Sequence, residues 1–299
     1  MDVDERSQAS DGQARRKPPP LPPGLHIVAT PIGNLRDITL RALDVLQAAD
    51  LIACEDTRVF AKLASHYGIG APTIAYSDAT QASAEPRILA ALEAGKRVAL
   101  VSDAGMPLVS DPGYRLVRSA IARNLLVTSA PGPSAVPMAL ALSGLPTDHF
   151  YFGGFLPTKQ SERRRAIAGA AAIPATLVFF EAPHRLADSL GDLADLLGSR
   201  PAALARELTK LFEEVRRAPL DQLADHYARH PEVKGEIAIV IGPPQESEAP
   251  AAGRLDEALR EAMAGASLKD AAAEVAARYG LKRRAVYARA LELKREAVP

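Results

Sequence analysis

The feature that most constrains the fold of this chain is an apolar run at residues 98–101. A polar, turn-rich loop at residues 102–113 follows it directly. The run Val98–Val101 shows no polar alternation, which is typical of a strand buried on both faces of a parallel sheet. The loop reads S-D-A-G-M-P-L-V-S-D-P-G and contains two carboxylates, Asp103 and Asp111. Because ligands of open α/β sheets bind outside the carboxyl ends of the strands, we expect this loop to form part of a ligand site.

Five apolar, strand-like runs alternate with helical patterns between residues 24 and 145. Strands that alternate with helices at this spacing predict a mostly parallel sheet covered on both faces, and therefore an α/β domain. The runs are Leu25–Ala29, Leu51–Cys54, Thr73–Tyr76, Val98–Val101 and Leu125–Thr128.

A second α/β domain is predicted for residues 146–245, because Ser143–Pro146 interrupts an apolar helix and a new series of strands and helices follows. Within this series, strands at 202–206 and 213–217 follow each other without a helix between them, which indicates a hairpin and a mixed sheet. The predicted fold class is therefore α/β, with a parallel sheet in the first domain, a mixed sheet in the second, and a small helical appendage.

Both ends of the chain differ from the two domains. Residues 1–23 are polar, end in a proline-rich run and are predicted to be a disordered tail. Residues 253–299 are predicted to form a helical C-terminal arm, in which Ser267 and Asp270 have the spacing of a capping box. The segment 281–296 has six basic and two acidic residues. The arm is therefore either a helix-turn-helix-like unit that contacts RNA or a solvated structural cap.

The charge balance and the cysteine count exclude several classes of protein. Lys and Arg total 36, as do Asp and Glu, so any nucleic-acid contact must depend on local patches. The single cysteine, Cys54, excludes an internal disulfide, and its apolar surroundings predict a buried, unreactive thiol. The sequence shows no membrane-length apolar run, signal peptide or metal-binding motif, which indicates a soluble, cytoplasmic protein without a metal site.

Two further loops follow strands at the same predicted edge of the first sheet. Thr30–Asn34 lacks the glycine fingerprint of dinucleotide-binding folds, but Gly33 allows the backbone to approach a ligand closely. Pro131–Ala135 brings Ser134 and backbone amides to a helix N-terminus, where a carboxylate or a hydroxyl can bind. We expect both loops to converge with 102–113 on one crevice.

The end of the second strand and several cations of the second domain add polar candidates. Helix capping explains Asp56 and Thr57, which leaves Glu55 and Arg58 as the functional candidates there. His184 is either a general base, a phosphate contact or only a residue at the start of a helix. A cationic face is also predicted, formed by Lys159, Arg163, Arg164, Arg165, Arg185 and Lys210.

These motifs together resemble the tetrapyrrole methylase family, the class III S-adenosylmethionine-dependent methyltransferases. The matching segments occur in one order over about residues 25 to 241 and include A-T-P-I-G-N-L-R-D, C-E-D-T-R, S-D-A-G-M-P-L-V-S-D-P-G, P-G-P-S-A, F-F-E-A-P-H-R and A-R-E-L-T-K-L-F-E-E. The resemblance implies a two-domain homodimer, with S-adenosylmethionine in a cleft that the second domain closes. The residues it implies for the cofactor pocket are Ile32, Gly33, Asp103, Gly105, Met106, Ser134, Ala135, Phe180 and Ala238.

Within this family, the long segments are similar to those of members that methylate the 2′-hydroxyl of a cytidine in small-subunit (16S) ribosomal RNA. The implied partner is this RNA or the assembled small subunit. A ribose hydroxyl is a weak nucleophile, so we expect a base near it, with Glu55 or Asp103 in that role, whereas Asp111 is expected only to start the next helix. The expected substrate contacts are Arg58, Lys159, Arg163, Arg164, His184 and Arg185.

Two other functions remain open from the sequence. The first alternative is that the chain is a sister enzyme of the same fold that methylates a small tetrapyrrole-like molecule. Such an enzyme requires neither the basic face nor the C-terminal arm. A non-catalytic RNA-binding factor for ribosome assembly is the second alternative, and cofactor binding distinguishes it from an enzyme.

Overall fold

The computed structural model describes residues 20–244, 252–279, 281 and 283–296, so residues 1–19 of the predicted tail lie outside the described residues. Within these ranges, two five-stranded sheets follow each other along the chain, and three helices form the C-terminal end. None of the helices in the described ranges has the length and apolar character needed to cross a membrane.

The first sheet is parallel throughout, as the sequence predicts. Its strands are β1 (Gly24–Val28), β2 (Leu51–Cys54), β3 (Thr73–Ala75), β4 (Arg97–Val101) and β5 (Val127–Ala130). The spatial order β3-β2-β4-β1-β5 places β4, with its informative loop, at the centre of the sheet. The fifth strand begins two residues later than the prediction of Leu125–Thr128.

Five helices connect or follow these strands: α1 (Leu40–Ala48), α2 (Thr57–Tyr67), α3 (Gln81–Glu93), α4 (Tyr114–Ala122) and α5 (Ala135–Ser143). Local capping determines where they begin. The Thr39 side chain accepts a hydrogen bond from the Ala42 amide at the start of α1, and Asp56 alone caps α2 by accepting from the Arg58 amide. Because all five strands are parallel, the loops that lead from the end of a strand to the start of the next helix all lie at the carboxyl edge of the sheet.

The second sheet is mixed, also as predicted. Its strands are β6 (Phe150–Phe155), β7 (Thr176–Glu181), β8 (Pro201–Arg206), β9 (Glu214–Pro219) and β10 (Ile237–Ile241), in the order β6-β7-β10-β8-β9. Only the β6–β7 pair is parallel, and β8 and β9 form the predicted hairpin. The accompanying helices are α6 (Gln160–Ala170), α7 (Leu186–Leu197) and α8 (Leu220–Arg229), and a short 3-10 turn, Pro183–Arg185, precedes α7.

Helix α5 joins the two halves of the molecule, because it follows β5 in the chain but packs on the second sheet. Val136, Ala139 and Leu140 are buried in one core with side chains of β7, β8 and β10. The Arg217 guanidinium of β9 also donates a hydrogen bond to the carbonyl oxygen of Leu142. This packing fixes the carboxyl edge of the first sheet against the second sheet.

The C-terminal arm consists of α9 (Ala252–Gly265), α10 (Leu268–Tyr279) and α11 (Arg283–Glu296). The hydroxyl of Ser267 accepts from the Asp270 amide at 3.2 Å and donates to the Asp270 carboxylate at 2.6 Å, as the capping-box spacing predicts. The three helices share a core of their own. Its fully or nearly fully buried members include Leu259, Val275 and Val286.

Candidate active site

A cleft of about 360 Å³ lies between the carboxyl edge of the first sheet and the second sheet. Loops 30–34, 102–113 and 131–135 all contribute to its wall, so the expected convergence is observed. A cavity of this size with a mostly apolar wall and a few polar groups is typical of a small-molecule site. Its opposite wall comes from the second sheet, including Phe155, Phe180, Glu181, Ala205, Leu208 and Ala238.

The loop after β4 is held against the cleft by the first turn. Thr30 and Gly105 exchange two backbone hydrogen bonds of 2.9 and 3.0 Å, and the Thr30 hydroxyl donates to the Ser102 carbonyl at 3.1 Å. Gly105 has a φ of 80°, and the non-glycine residues Leu108 and Ser110 have φ values of 73° and 68°. Such left-handed residues are uncommon and concentrate at functional sites, where surrounding contacts hold them in place.

The first turn of α5 directs hydrogen-bonding groups at the cleft. The Ser134 side chain makes no capping hydrogen bond, and Ser134, Ala135 and Val136 all line the cleft. A Cβ on Gly132 would lie 3.1 Å from the Ala29 side chain, so glycine lets this loop lie close to β1. A helix N-terminus carries a partial positive charge, and its amides can therefore bind a carboxylate.

The part of the wall that Phe180 and Ala238 form on the second sheet is apolar. Phe180 of β7 and Ala238 of β10 are direct partners across the sheet. The Phe180 ring lies edge-on to the rings of Phe152 and Phe155, with centroid distances of 5.0 and 5.5 Å. These edge-to-face contacts orient the Phe180 ring, which forms a flat surface in the cleft.

A buried carboxylate, Glu181, ends β7 at the cleft. Its Oε1 accepts from the Ala182 amide at 2.7 Å and lies 2.5 Å from an Arg185 nitrogen, while its Oε2 accepts from the Ser189 hydroxyl at 2.5 Å. A buried charge is tolerated when it is paired and hydrogen-bonded in this way. The network therefore fixes the segment that carries Glu181, Ala182 and Pro183 into the cleft wall.

Three carboxylates, Glu55, Asp103 and Asp111, cluster where β2 and β4 end. Asp103 accepts a hydrogen bond from the Asp56 amide at 3.0 Å, which joins the two strand ends. Burial raises the pKa of Glu55, and the charges of Asp111 and Asp103 raise it further. Burial also raises the pKa of Asp111, and this is the only one of the three that lines the cleft. No group of His, Cys, Asp or Glu among the described residues is arranged to hold a metal ion.

Two of the residues predicted to bind cofactor, Gly33 and Asp103, are not part of the cleft wall. Gly33 lies instead against the loop between β8 and β9, where a Cβ would be 2.4 Å from Cγ of Lys210. The neighbouring Asn34 amide donates to the Thr209 hydroxyl at 3.1 Å. Gly33 therefore allows the two domains to approach each other. The predicted residues that do line the cleft are Ile32, Gly105, Met106, Ser134, Ala135, Phe180 and Ala238.

The predicted cationic face is not formed as expected, because several of its members pair inside the second domain. Arg163 is only 4% exposed and lies 2.7 Å from the Asp192 carboxylate, which Arg164 also contacts at 2.6 Å. Arg185 is bound to Glu181 as described above. The charges of Arg163 and Arg185 are therefore paired internally, and Arg164 shares the Asp192 carboxylate with Arg163. Contact of these three residues with a substrate stays a prediction.

Other predicted contacts do lie at the surface. Lys159, Arg165 and His184 are exposed, and the Arg58 side chain is 88% exposed while it pairs with Asp56 at 2.6 Å. Their contact with a substrate stays a prediction. Lys210, the remaining cation of the proposed face, forms ion pairs with Glu207 and Glu236 at 2.7 and 3.2 Å.

Several residues of the cleft wall were missed by reasoning from the sequence, and Asp111 and Glu181 are two carboxylates among them. Asp111 was expected only to start a helix, yet it shares the cleft-lining loop with Gly105. Glu181 directly follows an apolar strand, as Asp103 does, and that position was the available signal.

Two family models match the chain in separate regions. The model described as tetrapyrrole (corrin/porphyrin) methylases matches residues 24–224. The model described as the RsmI C-terminal HTH domain matches residues 248–294, which include most of the arm.

Curated relatives are similar to the chain over most of its length. The ribosomal RNA small subunit methyltransferase I of Mesorhizobium japonicum is 51% identical over 284 residues, covering 95% of this chain and 96% of the relative. The protein of the same name from Escherichia coli O157:H7 is 46% identical over 276 residues, covering 90% and 94%. The similarity thus extends through both sheets and the C-terminal region.

Solved structures share the fold at low sequence identity. Uroporphyrin-III C-methyltransferase from Thermus thermophilus, in complex with S-adenosylhomocysteine, has a TM-score of 0.51 and 21% identity, covering 73% of this chain and 97% of that one. Diphthine synthase has a TM-score of 0.56 and 14% identity, covering 73% and 89%. These neighbours establish a common architecture for the two-sheet part of the chain.

Proposed function

Because this chain belongs to the tetrapyrrole (corrin/porphyrin) methylase family, we propose that it is an S-adenosylmethionine-dependent methyltransferase that acts on small-subunit ribosomal RNA. The observation that carries the proposal is the similarity to ribosomal RNA small subunit methyltransferase I over nearly the whole of both chains. The proposed acceptor is the 2′-hydroxyl of a cytidine, which rests on the subfamily segments of the sequence.

The cleft fits S-adenosylmethionine in its chemistry. The uncapped first turn of α5, with Ser134 and the following amides, suits the carboxylate of the amino acid part. Apolar side chains such as Ile32, Met106 and Phe180 suit the remaining, less polar parts and exclude water from the wall. When bound, S-adenosylmethionine supplies a methyl group activated by the attached sulfonium. The residues of the chain have to position the acceptor next to it.

A carboxylate near the acceptor hydroxyl can take its proton. Glu55 and Asp103 are the candidates that the sequence predicts, and Asp111 joins them because it lines the cleft. Raised pKa values of Glu55 and Asp111 make these groups stronger bases than ordinary carboxylates. Arg58 is the proposed contact for a phosphate of the substrate, which its 88% exposed side chain next to this cluster supports.

The proposed enzyme works as a homodimer in the cytoplasm, where its ribosomal substrate is found. The edge strand β6 supports the dimer, since it exposes three aromatic side chains. Phe150, Tyr151 and Phe155 are 49%, 40% and 56% exposed, and clustered aromatic residues are frequent at subunit interfaces. Sedimentation equilibrium of the purified protein tests this, and a monomer at micromolar concentration contradicts it.

The methyltransferase proposal is tested with purified protein, labelled S-adenosylmethionine and small subunits from cells that lack the protein. We expect cofactor binding by calorimetry and incorporation of label at one cytidine ribose, mapped by resistance of the adjacent bond to alkaline hydrolysis. An Ala238→Leu variant, which fills the cleft, is expected to remain folded and lose both signals. RNA binding without cofactor binding in the unaltered protein identifies a non-catalytic assembly factor instead.

A further inference from the structure

A second cavity, of about 450 Å³, lies on the second domain between β9, α8 and the segment before β10. Three cationic side chains, Arg206, Arg216 and Lys234, and two histidines, His226 and His230, line it. We refer to it as the basic cavity. None of these five residues was among the predicted substrate contacts.

The positive charge of the basic cavity exceeds its negative charge. Arg206 and Arg216 share one carboxylate, Glu214, at 3.0 and 3.1 Å. Among the described residues, the only other acid in the lining is Glu232, so three cations there face two anions before the histidines are considered. Arginine side chains with unused donors suit a phosphate, whose oxygens accept several hydrogen bonds at once.

Two histidines and a tyrosine add hydrogen-bonding groups to the lining of the basic cavity. The rings of His226 and His230 stack at a centroid distance of 4.6 Å, and His230 Nδ1 lies 2.9 Å from the His226 carbonyl oxygen. Nδ1 therefore donates to that carbonyl, so Nε2 of His230 can donate to a phosphate only when the ring carries both protons. Burial raises the pKa of the Tyr227 phenol beside Arg216, so this hydroxyl keeps its proton and remains a donor.

The basic cavity shares structural elements with the cleft of the candidate active site. Arg206 and Lys234 line the cavity, whereas Ala205 and Gly235, their chain neighbours, line the cleft. The Arg206 guanidinium donates to the Lys234 carbonyl at 3.2 Å and so ties these two segments together. Because successive strand residues face opposite sides of a sheet, Ala205 faces the α5 side with the cleft and Arg206 faces the α8 side with the basic cavity. Both sites lie at the end of β8 where this strand leaves the sheet, so an RNA strand that passes around this end can contact both.

We propose that the basic cavity binds a backbone phosphate of the RNA substrate, a few nucleotides away from the one that is methylated. The proposal rests on the proposed function, since it requires RNA in the cleft. Arg216 and Lys234 make the main charge contacts, because all three guanidinium nitrogens of Arg206 already donate to Glu214 or to the Lys234 carbonyl, whereas Arg216 donates to Glu214 through one nitrogen. Contact with the phosphate positions the RNA strand and carries no sequence preference.

The test compares Arg216→Gln and Lys234→Gln with Lys96→Gln as a matched control. Lys96 is exposed and lies at the amino edge of the first sheet, just before β4, at the opposite edge from the cleft. We expect each cavity variant to bind small-subunit RNA about fivefold to tenfold more weakly, with unchanged cofactor affinity and unchanged kcat at saturating RNA. The slope of log Kd against log salt concentration should fall by about 0.7 to 1 for each lost contact.

Melting curves show whether each variant is folded. Because the Lys234 side chain is exposed, we expect Lys234→Gln to remain folded, and this variant alone can test the proposal if Arg216→Gln unfolds. If the cavity variants have the same RNA affinity and the same salt slope as the Lys96→Gln control, the proposal is overturned. The proposed function is unaffected by that result as long as the unaltered protein methylates the RNA. An unaltered protein that binds cofactor but neither binds nor methylates the RNA overturns both.

Inorganic phosphate provides an independent probe. We expect it to shift the NMR signals of the His226 and His230 rings in the unaltered protein and to do so less in Arg216→Gln. Phosphate that shifts these signals but does not compete with RNA identifies an anion site unrelated to the substrate, and this result overturns the proposal.

Discussion

The guanidinium of Arg163 lies 2.7 Å from the carboxylate of Asp192, and both side chains are almost completely buried between α6 and α7. Gln160 and Arg164 donate to the other oxygen of the same carboxylate at 3.3 and 2.6 Å. Asp192 is thus the acceptor at the centre of a network that joins two helices. A cation that the sequence suggested for RNA binding instead has a structural role.

This relationship predicts a large loss of stability when Asp192 is replaced. In Asp192→Asn, the buried charge of Arg163 loses its partner, and we expect the free energy of unfolding to fall by about 3 to 5 kcal/mol. Urea denaturation measures the loss. Asp195→Asn is the matched control, because the Asp195 side chain is 66% exposed and its pairing with Arg164 contributes at most about 1 kcal/mol. If the two substitutions lower the free energy of unfolding equally, burial does not determine how much each ion pair contributes to stability.

The close contact of Gly33 with Lys210 predicts that the glycine is needed for cofactor binding. A methyl group at this position would meet Cγ of Lys210 at 2.4 Å and the Thr209 hydroxyl at 2.8 Å. The loop that also carries Leu208 into the cleft would have to move. We expect Gly33→Ala to weaken cofactor binding about tenfold in calorimetry, because small displacements of a pocket wall remove several contacts. Gly70→Ala, where a methyl group has open space, should bind as the unaltered protein does.

The raised pKa values in the carboxylate cluster predict a pH dependence of methyl transfer. A carboxylate accepts a proton only when it is ionised, so the rate should fall as pH falls through its pKa. Burial raises the pKa of Asp111 and of Glu55, and the loss should therefore begin at a higher pH than for ordinary Asp and Glu residues. Rates measured at saturating cofactor and RNA between pH 4 and 8 provide the profile.

Single variants identify which carboxylate is responsible for that profile. The three variants to compare are Asp111→Asn, Glu55→Gln and Asp103→Asn. The one that removes the proton acceptor should lower kcat and abolish the fall of the rate at acidic pH. A Glu55→Gln protein with intact cofactor binding and an unaltered rate excludes Glu55 from this role. If all three variants keep the original rate and profile, no carboxylate of the cluster acts as the base.

The environment of Cys54 predicts a thiol that does not react in the folded protein. Its side chain is 1% exposed, and burial raises its pKa to about 11, with the charges of Asp103 and Asp56 adding to the effect. Since the thiolate is the reactive form, iodoacetamide at pH 8 should modify the folded chain very slowly. Mass spectrometry after the same treatment in concentrated urea, where the thiol is exposed, provides the comparison. Rapid modification without urea contradicts the buried environment.

The architecture was predictable because it depends on local patterns. The uninterrupted apolar run of β4 and the capping residue at the start of α10 are short-range features, and the structure confirms them. The convergence of three loops follows from the rule that parallel strands present their carboxyl ends at one edge. Gly105 and Ser134 line the cleft for this reason.

The roles of charged side chains were not predictable in the same way. Arg163 and Asp192 are 29 residues apart in the chain, and nothing in the sequence near Arg163 identifies its partner. The same is true of Arg206 and Lys234 in the basic cavity, which lie 28 residues apart. Whether a cation is exposed or neutralised depends on which segments pack together.

The sequence by itself thus determined the two α/β domains, the edge of the first sheet where the cleft forms, and the family. Hydrophobic periodicity, turn residues and motif spacing act over a few residues, so they can be interpreted without a structure. Only the tertiary structure decided that Asp111 lines the cleft, that Arg163 is buried, and that α5 packs on the second sheet. These features depend on burial and on long-range partners, because the free energy of a charged group is determined by everything that surrounds it.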